Sequence, residues 1–197
     1  MNLPNKLTIF RIILVPIIVI VSLINIPGTF LGVPMNMVIM DIIFIIASIT
    51  DKLDGYIARS KHQVTTFGKF LDPIADKILV LAAMIILVEA GKLPAWIPII
   101  VLFREFVVSG YRLIAVEKNG KVVAANIWGK LKTVTQMIAI ILMFIDENKY
   151  GAIFTGNLTG WPLALNLITT LLMTISVIAT IFSGYEYIKG GKDLLKD

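Results

Sequence analysis

The chain has 197 residues, of which 57% are hydrophobic and 16% are charged, and its mean hydropathy is +0.89. A soluble domain carries about a quarter charged residues, so this composition excludes an ordinary soluble protein and predicts an integral membrane protein. The net charge of +5 is better explained by basic loops beside a membrane than by nucleic-acid binding, because no nucleic-acid motif is present. Cysteine is absent, so disulfides and thiolate chemistry are excluded, and a metal ion would need oxygen ligands or the single histidine, His62.

Six apolar segments predict six transmembrane helices, at about residues 7–26, 38–58, 74–90, 96–116, 131–145 and 161–188. Turn-forming residues such as Pro27-Gly28 and Asn119-Gly120 separate them. The first segment has a basic start but no cleavage pattern after it, and we interpret it as a retained helix. We therefore predict an all-α integral membrane fold, a bundle of six transmembrane helices in one domain over residues 1–197.

Basic residues are unevenly distributed among the predicted loops, which indicates an orientation in the membrane. If the amino terminus is cytoplasmic, nearly all loop lysines and arginines lie on the cytoplasmic side: Lys52, Arg59, Lys61, Lys69, Lys77, Lys118, Lys121, Lys130, Lys132, Lys189, Lys192 and Lys196. Only Lys92 and Lys149 fall in external loops. This asymmetry follows the positive-inside rule and predicts that both termini are cytoplasmic.

Four aspartates in the second and third segments predict a metal site. Asp51 and Asp54 are three residues apart and Asp72 and Asp76 are four apart, so each pair projects from one face of its helix. Pro73 either opens the third helix with Asp72 as its cap, or lies as a kink inside a longer helix. Two facing helices would bring the four carboxylates together, and carboxylates favour Mg2+ or Mn2+. Two such cations would serve phosphoryl transfer.

Small and basic residues between the aspartates fit a phosphate-bearing ligand. Gly55 and Ala58 leave room for a flat ligand, and Arg59 can pair with a phosphate. With Gly68 they complete the pattern D-x2-D-G-x2-A-R-x8-G-x3-D-x3-D. The alternative is a structural network of salt bridges, which is the weaker interpretation because ionisable groups within membranes usually serve function. His62, in the loop between the two halves, fits a solvated residue better than a metal ligand.

This pattern resembles the signature of the CDP-alcohol phosphotransferase family, integral membrane enzymes that displace CMP from a CDP-linked lipid or alcohol with divalent metal. The resemblance implies that the four aspartates bind two metal ions, that Asp76 is the general base, and that Gly55, Ala58, Arg59 and Gly68 accompany the CDP-lipid. It also implies a homodimer in a bacterial plasma membrane, with the active site facing the cytoplasm.

Further stretches, at residues 2–8, 71–77, 104–106 and 129–133, resemble members of this family whose acceptor is sn-glycerol 3-phosphate. The resemblance implies that a hydroxyl of glycerol 3-phosphate attacks the lipid-bearing phosphorus of CDP-diacylglycerol and releases CMP. Serine, inositol phosphate or a second phospholipid remain alternative acceptors. An intramembrane prenyltransferase is a more distant alternative, disfavoured because such enzymes usually present two D-x-x-x-D motifs on separate helical repeats, which this chain lacks, and because the chain is short for one. A cation transporter is disfavoured because the four aspartates form one cluster at the cytoplasmic end.

A phosphorylated acceptor needs positive partners, and three basic residues are candidates for them. Arg112 lies near the predicted cytoplasmic end of the fourth helix, and Lys130 and Lys132 open the fifth. Ordinary snorkelling toward the headgroups is the alternative explanation for all three.

Two more charged residues, Arg104 and Glu105, lie earlier in the fourth helix. Glu105 lies seven residues before Arg112 and shares its helix face, so it would be able to neutralise that arginine. Arg104 lies deeper, and we expect it to pair with an intramembrane carboxylate such as Glu89 or Asp41.

Three polar residues near the predicted cytoplasmic cleft are candidates for CDP-lipid binding. Asn5 and Thr8 precede the first apolar segment, and Thr50 precedes Asp51. Helix capping for Asn5 and Thr8, and packing for Thr50, are equally good interpretations.

Overall fold

The computed structural model of the chain describes residues 2–60, 66–117 and 127–190. These ranges contain six α-helices: α1 (Leu3–Leu23), α2 (Met35–Ser60), α3 (Thr66–Glu89), α4 (Trp96–Glu117), α5 (Ile127–Ile145) and α6 (Gly160–Gly190). Two strands of two residues each, β1 (Thr29–Phe30) and β2 (Val33–Pro34), pair antiparallel between α1 and α2. A short 3₁₀ helix, Ala152–Phe154, precedes α6. The helical fold class and the number of helices are confirmed, whereas the small β-ribbon was not predicted.

Three helices begin four or more residues earlier than the apolar pattern predicts. The helix α1 begins at Leu3 with a proline in its first turn, and α5 begins at Ile127. The largest difference is in α3, which begins at Thr66 and contains Pro73 in its interior. Asp72 is therefore not a cap, and the second of the two interpretations of Pro73 is the correct one. The pattern failed here because polar and charged side chains occupy these helix ends, where hydrophobic periodicity does not mark the helix.

Membrane character is strongest in three of the described helices. By length and composition, α1 (over Asn5–Leu23), α5 and α6 are long and apolar enough to cross a membrane. The helices α2, α3 and α4 have similar lengths of 26, 24 and 22 residues, but they carry the charged side chains of the site described below. Bulky apolar side chains such as Phe103, Phe106 and Leu113 are exposed on the outside of the bundle. An apolar exterior of this kind suits contact with lipid.

The helices pack as two connected groups. The helix α1 lies against α2 and α3, while α5 lies against α6 and α2, and α4 lies against α6. Fully buried Met40, Phe44, Met84, Met143 and Phe144 fill the space between them. The rings of Phe44 and Phe144 are 6.3 Å apart and tilted by 49°. This apolar core leaves the start of α1, the end of α2 and the start of α3 to form a polar end of the bundle.

A lysine closes the opposite end of the bundle. Lys92, in the connection between α3 and α4, donates hydrogen bonds from Nζ to the carbonyl oxygens of Met143 (3.2 Å), Phe144 (3.0 Å) and Asp146 (2.6 Å). These carbonyls belong to the carboxyl end of α5, where the helix leaves its acceptors unpaired and carries partial negative charge. The Asp146 carboxylate in turn accepts a hydrogen bond of 2.7 Å from the Asn166 amide of α6. The connection therefore fixes α5 and α6 together.

Candidate active site

One face of α1 lies against the aspartate helices. Asn5, Thr8 and Arg11 follow one another at intervals of three residues, and all three are buried, with exposed fractions of 7%, 1% and 0%. The hydroxyl of Thr8 donates a hydrogen bond of 2.5 Å to Oδ1 of Asp72 on α3. Arg11 Nη1 lies 2.7 Å from Oδ1 of Asp51 on α2. The first helix therefore holds one carboxylate from each half of the signature.

The end of α2 carries several of the predicted site residues. The side chain of Asp51 is 32% exposed, so its carboxylate is paired with Arg11 yet still accessible. The hydroxyl of Thr50 donates to the carbonyl oxygen of Ile46 at 2.6 Å, within its own helix. Thr50 is also buried, which agrees with the packing interpretation, and a contact with the CDP-lipid stays a prediction.

Five other members of the signature are placed on α2 and α3 by their helical positions. Asp54, Ala58 and Arg59 lie on α2, and nothing is described of their side chains. Gly55 is half-buried on α2, and Gly68 is buried in the first turn of α3. His62 lies outside the described residues, so its predicted role as a solvated loop residue stays a prediction.

Asp76 lines a small cavity of about 100 Å³ between α3, α4 and α5. The polar side chains around it are mostly charged: Asp76, Lys77, Arg104, Glu105, Lys132, Thr133 and Gln136. The Asp76 carboxylate also lies within electrostatic range of Asp51 and Arg11, so this cavity adjoins the aspartate cluster. A group bound here would meet a carboxylate on one side and cationic side chains on the other.

Glu105 is the centre of a buried charge network in this cavity. Its Oε1 accepts from Lys132 of α5 and from Arg104 Nη1, the latter at 2.8 Å. Its Oε2 lies 3.5 Å from Lys77 Nζ of α3, which also donates to the Ser109 hydroxyl at 2.6 Å. Glu105 thus draws cations from three helices to one place. With Asp76 the cavity holds two negative and three positive side chains, so an added anion meets a net positive charge.

Of the three predicted phosphate-binding residues, Lys132 alone lies in the cavity that Asp76 lines. Lys132 is buried in the cavity beside Glu105, whereas Lys130, two residues earlier on α5, is exposed. Arg112 is exposed near the end of α4 and donates to the hydroxyl of Tyr187 on α6 at 3.0 Å. The three residues therefore do not form one pocket, because successive positions on a helix face different directions.

The predicted partners of Arg104 and Arg112 were wrong. Arg104 pairs with its neighbour Glu105 and donates from Nη2 to the Ser183 hydroxyl at 2.6 Å, rather than pairing with Glu89 or Asp41. Glu105 does not neutralise Arg112, because its carboxylate is directed to Lys132, Arg104 and Lys77. The spacing of Glu105 and Arg112 along α4 indicated a shared helix face. The partners of Glu105 nevertheless include Lys77 of α3 and Lys132 of α5, which that spacing does not reveal.

The carboxylates that the structure describes fit a divalent cation in chemistry. They offer only oxygen donors, which Mg2+ and Mn2+ prefer. Asp51 and Asp76 lie within electrostatic range of each other, with the buried guanidinium of Arg11 as a cation already among them. The negative charges of Asp51 and Asp72 against the one positive charge of Arg11 favour further positive charge beside these two carboxylates. Among the described side chains, which do not include that of Asp54, no three acidic or histidine groups gather around one point.

Sequence reasoning missed three residues of this site. By sequence alone, Arg11 is one of the basic residues at the start of the first segment. Its spacing of three from Thr8 is the signal that places both on the same helix face. Lys77 was assigned to the cytoplasmic surface, and Glu105 was assigned to the wrong partner. For Lys77 and Glu105 no local pattern predicts the contact, since the partners are on other helices.

Carboxylates from two helices beside a cavity lined with cations, in a helical protein with three helices apolar enough to cross a membrane, are compatible with an enzyme that acts on phosphate compounds. A family model described as CDP-alcohol phosphatidyltransferase matches residues 1–182, and the chain belongs to this family. Family membership implies a metal-dependent phosphotransferase.

Curated relatives match the chain over nearly its whole length. A Bacillus subtilis protein named CDP-diacylglycerol--glycerol-3-phosphate 3-phosphatidyltransferase is 42% identical over 99% of this chain and 97% of its own length. A Haemophilus influenzae protein with the same name is 36% identical over 100% of this chain and 96% of its own length. A Mycobacterium tuberculosis protein named probable phosphatidylglycerophosphate synthase is 33% identical over 95% and 80%, respectively.

Proposed function

We propose that this chain transfers the phosphatidyl group from CDP-diacylglycerol to sn-glycerol 3-phosphate, giving phosphatidylglycerophosphate and CMP. The names of its near full-length relatives support this activity. The observation that carries the proposal is the cavity in which Asp76 lies beside Lys77, Arg104 and Lys132. An acceptor that carries both a hydroxyl and a doubly charged phosphate is complementary to a carboxylate beside three cations, whereas serine brings a singly charged carboxylate together with an ammonium group.

In the mechanism, the acceptor hydroxyl lies toward Asp76 and the acceptor phosphate toward Lys132 and Arg104. Asp76 removes the hydroxyl proton as the acceptor oxygen forms a bond to the lipid-bearing phosphorus. The bond from that phosphorus to the bridging oxygen of the diphosphate breaks, and CMP leaves with the electron pair. Glu105 keeps the cations in place before the acceptor binds, which lowers the cost of ordering them.

Asp51, Asp54, Asp72 and Asp76 would hold two divalent cations, Mg2+ or Mn2+, which when bound neutralise the diphosphate. Arg11 and Thr8 orient two of these carboxylates, Asp51 and Asp72, through the contacts of 2.7 and 2.5 Å. Removal of divalent metal by EDTA is expected to abolish CMP release, and added Mg2+ or Mn2+ is expected to restore it.

The CDP-lipid lies at the polar end of α1, α2 and α3. Gly55, Ala58, Arg59 and Gly68 accompany the nucleotide there, because the family signature falls on these positions. Three further residues complete this proposed subsite: Asn5, Thr8 and Thr50.

The chain forms one membrane domain of six spans over residues 1–197, with both termini and the active site facing the cytoplasm of a bacterial plasma membrane. The distribution of basic residues supports this orientation. It functions as a homodimer, as the family resemblance implies.

The test is CMP release by the purified protein in mixed micelles with CDP-diacylglycerol and Mg2+, supplied separately with glycerol 3-phosphate, serine, inositol phosphate or a second phospholipid. We expect CMP and the corresponding lipid product with glycerol 3-phosphate alone. CMP release with serine and none with glycerol 3-phosphate would reject this acceptor. Mg2+ flux into liposomes that Asp72→Asn abolishes, without any CMP, would instead establish a transporter.

A further inference from the structure

A tyrosine near the end of α6 contacts both arginines of α4. Tyr187 is almost completely buried, with an exposed fraction of 2%. Its hydroxyl accepts the hydrogen bond of 3.0 Å from Arg112 Nη2, and the guanidinium carbon of Arg112 lies over its ring, 5.6 Å from the centroid. The guanidinium carbon of Arg104 also lies over this ring, at 5.8 Å. One aromatic side chain thus interacts with two cations.

Two more residues of α6, Ser183 and Gly184, contact the Arg104 side chain. Ser183 lies four residues before Tyr187, and its hydroxyl accepts the hydrogen bond of 2.6 Å from Arg104 Nη2. Between them, Gly184 brings its backbone close to the arginine, because a Cβ added there would lie 3.4 Å from Arg104 Cγ. The aliphatic part of Arg104 therefore lies along α6, and its guanidinium is oriented by Ser183, Tyr187 and Glu105 together.

The two arginines lie at different depths relative to the cavity. Arg104 lines the cavity beside Asp76, and Arg112 is exposed eight residues later, about 12 Å further along the helix axis. Two guanidinium groups near one ring repel each other, and the negative face of the ring offsets part of that cost. Without the ring, repulsion and side-chain entropy would move the arginines apart. Tyr187 is therefore the side chain that contacts both guanidinium groups and contributes to the orientation of each.

We propose that Tyr187 is a positioning residue for the acceptor phosphate, and that it acts by holding Arg104 in the cavity and Arg112 at the approach to it. The inference rests on the proposed function, since the anion concerned is the phosphate of glycerol 3-phosphate. It assigns a role in acceptor selection to α6, which contributes none of the signature aspartates.

The test compares Tyr187→Leu, Tyr187→Phe and Tyr185→Leu in steady-state assays of CMP release, varying glycerol 3-phosphate and CDP-diacylglycerol separately. Tyr185 is the matched control because it lies on the same helix but is exposed on the outside of the bundle. Loss of two cation–ring contacts and one hydrogen bond is expected to raise KM for glycerol 3-phosphate about tenfold in Tyr187→Leu. Tyr187→Phe keeps the ring and is expected to raise it about threefold. Neither variant is expected to change KM for CDP-diacylglycerol, and Tyr185→Leu is expected to change neither constant.

Arg112→Ala, alone and combined with Tyr187→Phe, supplies a second measurement that does not depend on the stability of Tyr187→Leu. If the hydroxyl acts through Arg112, the double variant has the same KM for glycerol 3-phosphate as Arg112→Ala alone. Fully additive effects, equal increases in both KM values, or the same change in Tyr185→Leu would overturn the proposal. An unmodified protein that releases no CMP with glycerol 3-phosphate would reject the proposed function, whereas an active protein insensitive to Tyr187 substitution would reject only this inference.

Discussion

Lys130 and Lys132, in the first two turns of α5, allow a direct test of which cations bind the acceptor phosphate. Lys132 is buried beside Glu105 in the cavity that Asp76 lines, and Lys130 is exposed two residues earlier. Substitution by Met at either position removes the charge and retains most of the side-chain volume. A hydrogen bond to a charged group contributes about 1.5 to 3 kcal/mol, so Lys132→Met is expected to raise KM for glycerol 3-phosphate roughly 10- to 150-fold. Lys130→Met is expected to raise it less than about twofold, because exposed charges contribute little.

The measurement is CMP release in mixed micelles with glycerol 3-phosphate varied at saturating CDP-diacylglycerol, followed by the converse titration. Glu105 keeps Arg104 and Lys77 as partners in Lys132→Met, at 2.8 and 3.5 Å, so the network is not left without cations. Intact folding is checked by circular dichroism and gel filtration. Equal effects of the two substitutions, or an increase confined to KM for the lipid, would show that the cavity does not bind the acceptor phosphate.

Three other predictions concern the site aspartates, the ion pair of Arg11 with Asp51, and Lys92 at the opposite end of the bundle. Asp76→Asn is expected to retain binding of metal and CDP-lipid better than activity, whereas Asp51→Ala is expected to lose both in calorimetric titration; equal losses of binding would remove the assignment of Asp76 as general base. Arg11→Met leaves the Asp51 carboxylate without its buried partner and is expected to lower the free energy of unfolding by about 2 to 4 kcal/mol, measured by SDS titration in mixed micelles. An unchanged free energy would mean that this ion pair contributes nothing to the fold. Lys92→Met removes the donor to the carbonyl oxygens of Met143, Phe144 and Asp146 and is expected to lower the free energy of unfolding by about 2 kcal/mol. It is not expected to alter KM for glycerol 3-phosphate, and a change in that KM would show coupling between the two ends of the bundle.

The helices and the aspartate pattern were predictable from the sequence because both are encoded locally. Apolar segments identify helices wherever the side chains face lipid or the core. The family signature consists of residues at fixed spacings on two helices, and the two aspartates of each pair lie about one turn apart, Asp51 with Asp54 and Asp72 with Asp76. The same local character explains where prediction failed at the start of α3, since residues 66–73 are helical but too polar to extend the apolar segment.

The cavity partners were not predictable in the same way, because they depend on how separate helices are rotated against one another. Glu105 meets Lys77 and Lys132 across two helix interfaces, and hydrophobic periodicity does not define that rotation to within one residue. Adjacent residues on a helix do not face each other, so spacing does not predict a pair between Arg104 and Glu105. Arg104 Nη1 nevertheless lies 2.8 Å from Glu105 Oε1. Long flexible side chains can bridge positions that the backbone alone would separate.

Under the proposed function, the helix α3 carries one residue for each of the two reactants. Asp72 is directed to α1, and Asp76, one turn later and about 6 Å further along the axis, is directed to the cavity between α4 and α5. Because both residues lie on one helix, α3 sets the separation between the proposed donor and acceptor positions before either substrate binds. A tilt or shift of α3 would consequently displace both aspartates at once. Substitutions on this helix far from the site are therefore expected to lower turnover without selectively weakening the affinity for either substrate.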